Sequence, residues 1–155
     1  MALEIERKFL VVSDDWQAQV EGESVIKQGY LANRPGATVR VRVAGERAWL
    51  NIKGATLGIC RSEYEYEIPL VDAEEMLATL VSGAIIHKVR YRVRCGVHLW
   101  DLDVFAGENQ GLCLAEVELA DEHESFERPV WAGREVSAEP RYYNASLIEH
   151  PYSTW

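Results

Sequence analysis

Glu4-Ile5-Glu6-Arg7-Lys8-Phe9-Leu10-Val11-Val12 is the stretch on which the fold turns. At the two-residue period of a β-strand, Glu4, Glu6 and Lys8 share one face, while Leu3, Ile5 and Phe9 lie mainly on the other. Two carboxylates and an ammonium then stand side by side on one short ribbon. That set suits an anion bridged by a cation, because carboxylates hold a hard metal ion and lysine takes a phosphate oxygen directly. A solvent-facing edge strand, or a helical turn pairing Glu4 with Lys8 at i,i+4, accounts for the same residues. Alone, the plainer reading is the better one. The pattern's recurrence downstream shifts the balance.

Working outward, residues 25–31 read as a strand stopped by Asn33-Arg34-Pro35-Gly36, a strong turn signal. Residues 38–43 and 48–53 form a hairpin folded back at Ala44-Gly45-Glu46-Arg47, and 61–70 is another alternating run. Val71-Asp72-Ala73-Glu74-Glu75-Met76 predicts a helix start, with Asp72 as the cap, Glu75 reaching back and Val71 stapled to Met76. The helix is expected to run to 80 or 81 and stop at Gly83. Strands resume over 86–94, 98–105 and 113–119, and their short connections imply antiparallel neighbours. Ser13-Asp14-Asp15-Trp16 predicts a short helical turn capped by a small oxygen side chain. Pro129-Val130-Trp131 and Arg141-Tyr142-Tyr143-Asn144 likewise predict helical turns rather than strand. The expectation is a mainly β (α+β) chain, its strand count compatible with a closed antiparallel barrel of roughly eight strands with a few flanking helices.

The charges sort by face. Arg40 and Arg42 oppose Val39, Val41 and Val43; Asn51 and Lys53 oppose Leu50 and Ile52. Glu63, Glu65 and Glu67 oppose Tyr64, Tyr66 and Ile68; Lys88, Arg90, Arg92 and Arg94 oppose Val89, Tyr91 and Val93. Asp101 and Asp103 oppose Trp100, Leu102 and Val104; Glu116 and Glu118 oppose Ala115, Val117 and Leu119. Most strands carry charges of one sign. Like charges stacked along a strand repel, and solubility does not call for sorting by sign. A lumen holding a polyanion and its divalent ions does call for it. Periodicity leaves the charged lumen and the solvated face both open.

The chain has 155 residues, enough for one domain (1–155) with a proper core, and no internal repeat or Pro/Ser-rich linker divides it. A net charge of -9 argues against nucleic-acid binding, which demands a basic footprint. Cys60, Cys95 and Cys113 are scattered and odd in number, as expected of reduced thiols in the cytosol. No signal peptide fits an N-terminus carrying Glu4 and Glu6, and no apolar run is long enough to span a bilayer, so a cytoplasmic protein without a membrane partner is expected.

Glu4-x-Glu6-x-Lys8 resembles the signature of the CYTH superfamily, the triphosphate tunnel metalloenzymes. The likeness continues in order through Arg40-x-Arg42, Lys53, the Glu63/Glu65/Glu67 strand, Lys88-x-Arg90, Asp103 and Glu116-x-Glu118. Trp131-x-Gly133-x-Glu135-Val136 and Arg141-Tyr142-Tyr143-Asn144 resemble short bacterial members, so the resemblance spans nearly the whole chain. It implies an eight-stranded antiparallel tunnel whose charged lumen binds a triphosphate with Mg²⁺ or Mn²⁺, and a homodimer. Known activities of the family are inorganic triphosphatase, thiamine triphosphatase, RNA triphosphatase and class IV adenylate cyclase.

A triphosphate carries several negative charges, and Lys8, Arg40, Arg42, Lys53, Lys88 and Arg90 supply the compensating donors. Glu4, Glu6, Glu116 and Glu118 are the first candidates for metal ligands, completed by Asp103, Glu63 and Glu65. Lys8, Lys53, Glu116 and Glu118 are the residues expected closest to the chemistry. No Gly-x-x-x-x-Gly-Lys loop is present, so side chains rather than a backbone cradle must hold phosphate. His87, His98, His123 and His150 lack paired zinc spacing. The leading expectation is a metal-dependent hydrolase of inorganic triphosphate. A class IV-type adenylate cyclase or a nucleoside or thiamine triphosphatase is the alternative on the same fold, and a non-catalytic polyphosphate binder is the alternative from another class.

Overall fold

The computed structural model describes residues 2–155. The chain runs β1 (Leu3–Val11), a 3-10 turn (Asp15–Gln19), β2 (Val20–Arg34), β3 (Ala37–Ala44), β4 (Arg47–Gly54), β5 (Cys60–Ile68) and α1 (Leu70–Thr79). It continues through β6 (Ser82–Cys95), β7 (His98–Phe105), β8 (Cys113–Glu118), β9 (Ala132–Glu135) and α2 (Asn144–Leu147). Strands follow the order β5-β4-β3-β2-β6-β7-β8-β1, and β1 bonds back to β5. Eight antiparallel strands therefore close into a barrel, as the alternating runs predict. The closing seam is short: Leu3 faces Ser62, Glu4 faces Arg61 and Ile5 faces Cys60.

Beyond that seam the same edge of β1 takes up β9, through Phe9 with Glu135 and Val11 with Ala132. This strand corrects the expectation of no strand in the closing stretch, while the helical turns expected at Arg141-Tyr142-Tyr143-Asn144 are present as a 3-10 turn (Pro140–Tyr142) and α2. Ala132-Gly133-Arg134-Glu135 has no alternation of its own, and its partner lies at the other end of the chain. Gly133 permits the approach, since a Cβ there would come within 2.4 Å of Val12 Cγ1. The helix start also differs from the sequence reading. Pro69 occupies the cap position with φ -59° and ψ 137°, and no side chain caps the helix. Asp72 sits inside the first turn, where its charge still favours the positive end of the helix. Gly83 (φ +79°) belongs to β6 rather than ending α1.

The charged rows turn inward and the apolar rows outward. On one flank Phe9, Val93, Trp100, Leu102, Ala115 and Val117 are buried beneath Trp16, Leu119 and Trp131. On another, α1 lays Ala73 and Leu77 over Val41, Val43 and Ala48. A third cluster lies at one end of the lumen. Going along each strand, the charged positions Lys8, Lys88, Asp103 and Glu116 give way two residues on to Leu10, Ile86, Phe105 and Leu114. These apolar side chains, with Tyr30, meet Val136, Tyr142, Leu147 and Ile148 from the C-terminal segment. The chain's end thus packs against the barrel's apolar end.

Gly29 of β2 shows how closely α1 is seated. A Cβ there would meet Val81 Cγ2 at 2.7 Å and Leu77 Cδ2 at 3.1 Å. Gly29→Val should therefore destabilise the fold by about 1–3 kcal/mol in urea denaturation. Gly36→Ala, with nothing within 4 Å of its Cβ, serves as the control and should be nearly neutral.

Candidate active site

Strand alternation and antiparallel register bring the inward residues to a common lumen. The pairings Glu6 with Glu118, Lys8 with Glu116, Lys53 with Glu63 and Arg90 with Asp103 each join two inward positions. The resulting cavity is about 890 Å³ and is lined by Glu4, Glu6, Lys8, Arg40, Arg42, Lys53, Glu63, Glu65, Lys88, Arg90, Glu116 and Glu118. Of the site residues expected from sequence, only Asp103 is not on that lining. It lies just behind it, 1% exposed.

Asp103 is fully engaged. Its Oδ1 accepts from Arg90 Nε at 2.8 Å, and its Oδ2 accepts from Lys88 Nζ at 2.8 Å and Arg90 Nη2 at 2.9 Å. Burial works against ionising this carboxyl, but Arg90 and Lys88 outweigh burial and hold its pKa below the usual value. Burial likewise lowers the Lys88 ammonium to about 8, in spite of Asp103. Lys88 Nζ also donates to Asn144 Oδ1 at 3.1 Å, and Gln28 Nε2 donates to the same oxygen at 2.9 Å. Lys8 Nζ stands 3.4 Å from Glu116 Oε1 and donates to the Tyr142 carbonyl at 3.3 Å, beside the Tyr143 ring. Both lysines are therefore tied to the C-terminal segment.

The opposite wall is a second network. Lys53 Nζ lies 3.2 Å from both Glu4 oxygens and 2.9 Å from Glu63 Oε2. Arg61 Nε donates to Glu4 Oε1 at 2.9 Å. Burial pushes the Glu4 carboxyl up, but Lys53 and Arg61 prevail and hold it well below the carboxylate range. For Glu116 burial is again outweighed, here by Lys8, Arg90 and Lys88, and its pKa is lowered.

Two places remain unbalanced. Arg40 is buried and forms no salt bridge among the described residues; its guanidinium reaches Asn51 Oδ1 at 3.4 Å. Burial and then Arg40 lower the pKa of neighbouring Arg42, whose carboxylate partner is Glu65 at 3.3 Å. In this corner two guanidiniums have one close carboxylate, Glu65, between them. Conversely, burial, then Glu116 and Glu4, raise the Glu6 carboxyl to about 8. Burial, then Glu4, Glu63 and Asp101, raise Glu118. In that corner carboxylates outnumber cations, and Arg61 Nη2 comes no closer than 3.8 Å to Glu6 Oε1.

The donor set suits a hard divalent ion, since the crowded ligands are carboxylate oxygens and no cysteine lines the cavity. Among the described residues, no group of three or more acidic, histidine or cysteine side chains is arranged to hold an ion, as Lys53 and Arg61 already contact Glu4. Sequence reasoning missed Arg61 as a lumen residue, although it shares strand parity with Glu63 and Glu65. It also missed Asn144 as a partner of Lys88, a contact no local pattern encodes. Asp101, which shares its strand face with Asp103, lines the cavity 3.5 Å from Arg90. Arg92 and Arg94 lie outside the cavity lining, Arg94 pairing with Glu21 at 3.0 Å.

The Glu6 shift predicts a pH dependence. A carboxyl raised from 4.5 to about 8 keeps its proton when folded and releases it on unfolding, so stability falls as pH rises through that window. In chelator, the thermal midpoint of the wild type should fall between about pH 5 and 8, and Glu6→Gln should lessen the slope. An unchanged slope in the variant would show that Glu6 is not its source.

A family model described as the CYTH domain matches residues 2–152. An inorganic triphosphatase of Acetivibrio thermocellus is 43% identical over 155 residues, covering 100% of this chain and 99% of that protein. An inorganic triphosphatase of Nitrosomonas europaea is 36% identical over 151 residues, covering 93% and 95% of the two chains. Among solved structures, a crystal structure of an inorganic triphosphatase superposes with a TM-score of 0.66 at 33% identity, covering 96% of this chain and 95% of the other. With its closed eight-stranded barrel and inward charge, the chain belongs to the CYTH domain family.

Proposed function

We propose that this protein is a divalent-metal-dependent inorganic triphosphatase that cleaves a phosphoanhydride bond of tripolyphosphate inside its cavity. The observation that carries the reading is the pairing of two unbalanced corners in one cavity. Buried Arg40 has no carboxylate partner among the described residues and half-buried Arg42 has only Glu65, while Glu6 and Glu118 are crowded by other carboxylates. A triphosphate with its divalent ion corrects both at once. Full-length relatives that carry the name of the hydrolase support the same choice.

In this reading Lys8, Arg40, Arg42, Lys53, Lys88 and Arg90 grip phosphate oxygens, the arginines through their planar forks. Asp103 orients Lys88 and Arg90, with which both its oxygens are engaged, rather than reaching an ion itself. Glu4, Glu6, Glu63, Glu65, Glu116 and Glu118 are the residues that would hold Mg²⁺ or Mn²⁺, with Glu116 and Glu118 nearest the chemistry. When bound, the ion supplies charge neutralisation and polarisation at the phosphoryl group. Phosphoryl transfer of this kind depends on positioning and charge compensation more than on covalent catalysis. The protein is read as cytosolic and homodimeric, for which the free cysteines and the exposed Tyr64 and Tyr66 on the outer face of β5 are the support.

Phosphate release from tripolyphosphate, compared with a nucleoside-triphosphate and thiamine-triphosphate panel, tests the assignment. Inorganic triphosphate should be the preferred substrate, and chelator should abolish turnover while leaving the far-UV circular dichroism nearly unchanged. Full activity in chelator would remove the metal from the reading. Arg40→Ala removes a charge-assisted contact worth about 1.5–3 kcal/mol, so triphosphate binding and kcat/KM should both fall by roughly ten- to a hundredfold. Glu118→Gln keeps the side-chain size and should act mainly on kcat, with calorimetric binding of triphosphate retained. Wild-type turnover in Glu118→Gln would make that carboxylate a solvated strand residue.

A further inference from the structure

Arg61 takes no part in the roles assigned above, yet it occupies a telling position. It lies at the start of β5, opposite Glu4 in the seam that closes the barrel. Its Nε donates to Glu4 Oε1 at 2.9 Å, and its Nη2 stands 3.8 Å from Glu6 Oε1. One guanidinium thus spans the two carboxylates of the N-terminal strand that are first candidates for a divalent ion. A cation is already in place there, and it belongs to the chain.

We infer that Arg61 is a placeholder cation: it occupies Glu4 and Glu6 in the metal-free barrel, must withdraw before a divalent ion binds, and so sets metal affinity. This inference rests on the metal-dependent reading of the cavity. Arg61 is suited to the role in ways that Lys53 is not. The Lys53 side chain is 7% exposed and holds Glu63 as well as Glu4. The Arg61 side chain is 25% exposed and has a long stem that can swing into the cavity. A guanidinium cannot shed its charge by losing a proton, so its hold on two carboxylates ends only by displacement. Once displaced it remains within the cavity, where its fork fits phosphate oxygens. Metal entry would then deliver a further cation to the triphosphate.

The test is Mn²⁺ binding to the purified chain without triphosphate, read from the paramagnetic resonance signal of unbound Mn²⁺. Arg61→Gln should bind Mn²⁺ more tightly than wild type by roughly tenfold or more, because one competing charge has gone. Arg61→Lys, which keeps a cation at the site, should stay nearer wild type. Arg42→Gln removes the same charge from another wall of the cavity and should have a smaller effect. Equal or weaker binding by Arg61→Gln, or an equally large gain in Arg42→Gln, overturns the placeholder role while leaving the metal reading intact. Absence of Mn²⁺ binding in every variant, with phosphate release undiminished in chelator, overturns both. A second measurement needs no variant: the Nε–H of Arg61, hydrogen-bonded to Glu4, should give a resonance that is lost from wild-type spectra as Mg²⁺ is added. Its persistence at saturating Mg²⁺ would overturn the displacement.

Discussion

Charge turned into a closed barrel must be matched, because burial strips it of water and the protein interior screens it weakly. This requirement governs the whole structure. Antiparallel register satisfies most of it by setting Lys8 beside Glu116, Lys53 beside Glu63 and Arg90 beside Asp103. Such pairs are not there chiefly for stability, since buried ion pairs rarely gain more than they lose in desolvation. They fix side chains in place. Asp103, held by three hydrogen bonds, makes a rigid anchor of Lys88 and Arg90.

What the register leaves unmatched is as informative as what it matches. The interior is not neutralised evenly, so Arg40 and Arg42 accumulate positive potential while Glu6 and Glu118 crowd one another and their neighbours. A purely structural interior would have no reason to keep this separation. An interior that receives a polyanion and its counter-ion does, because the incoming charges complete the balance and binding is strengthened by what the empty cavity lacked.

Folding and function are assigned to opposite faces of the same strands. The outer faces carry the apolar clusters that hold the barrel together, around Trp100 on one side and beneath α1 on another. The charged stretches of the inner faces are thereby released from the task of stabilising the fold, which at one end of the lumen falls to Ile86, Phe105 and Leu114. The C-terminal segment belongs to both sides of this division. Its apolar residues pack on Tyr30, Ile86 and Leu114, and its Tyr142 carbonyl and Asn144 side chain take hydrogen bonds from Lys8 and Lys88.

Much of this was legible in the sequence because a β-strand has a period of two, and a face of like charges on successive strands is visible without coordinates. Glu4, Glu6, Lys8, Arg40, Arg42, Lys53, Glu63, Glu65, Lys88, Arg90, Glu116 and Glu118 could be grouped by parity, and all of them line the cavity. Parity cannot say which face is inside, since that depends on closure, here a seam of three residue pairs between β1 and β5. Nor can it give distance. Asp103 shares its face with Asp101, yet one is locked behind Lys88 and Arg90 while the other borders the cavity. Arg61 alternates with the glutamates of β5, but its hold on Glu4 arises from pairing with a strand more than fifty residues away. The four-residue β9 has no pattern to read and exists because β1 offers it an edge. The sequence by itself determined which side chains share a strand face, because alternation is local. The tertiary structure alone decided which charges are matched and which await a ligand, because that balance is made between strands distant in the chain.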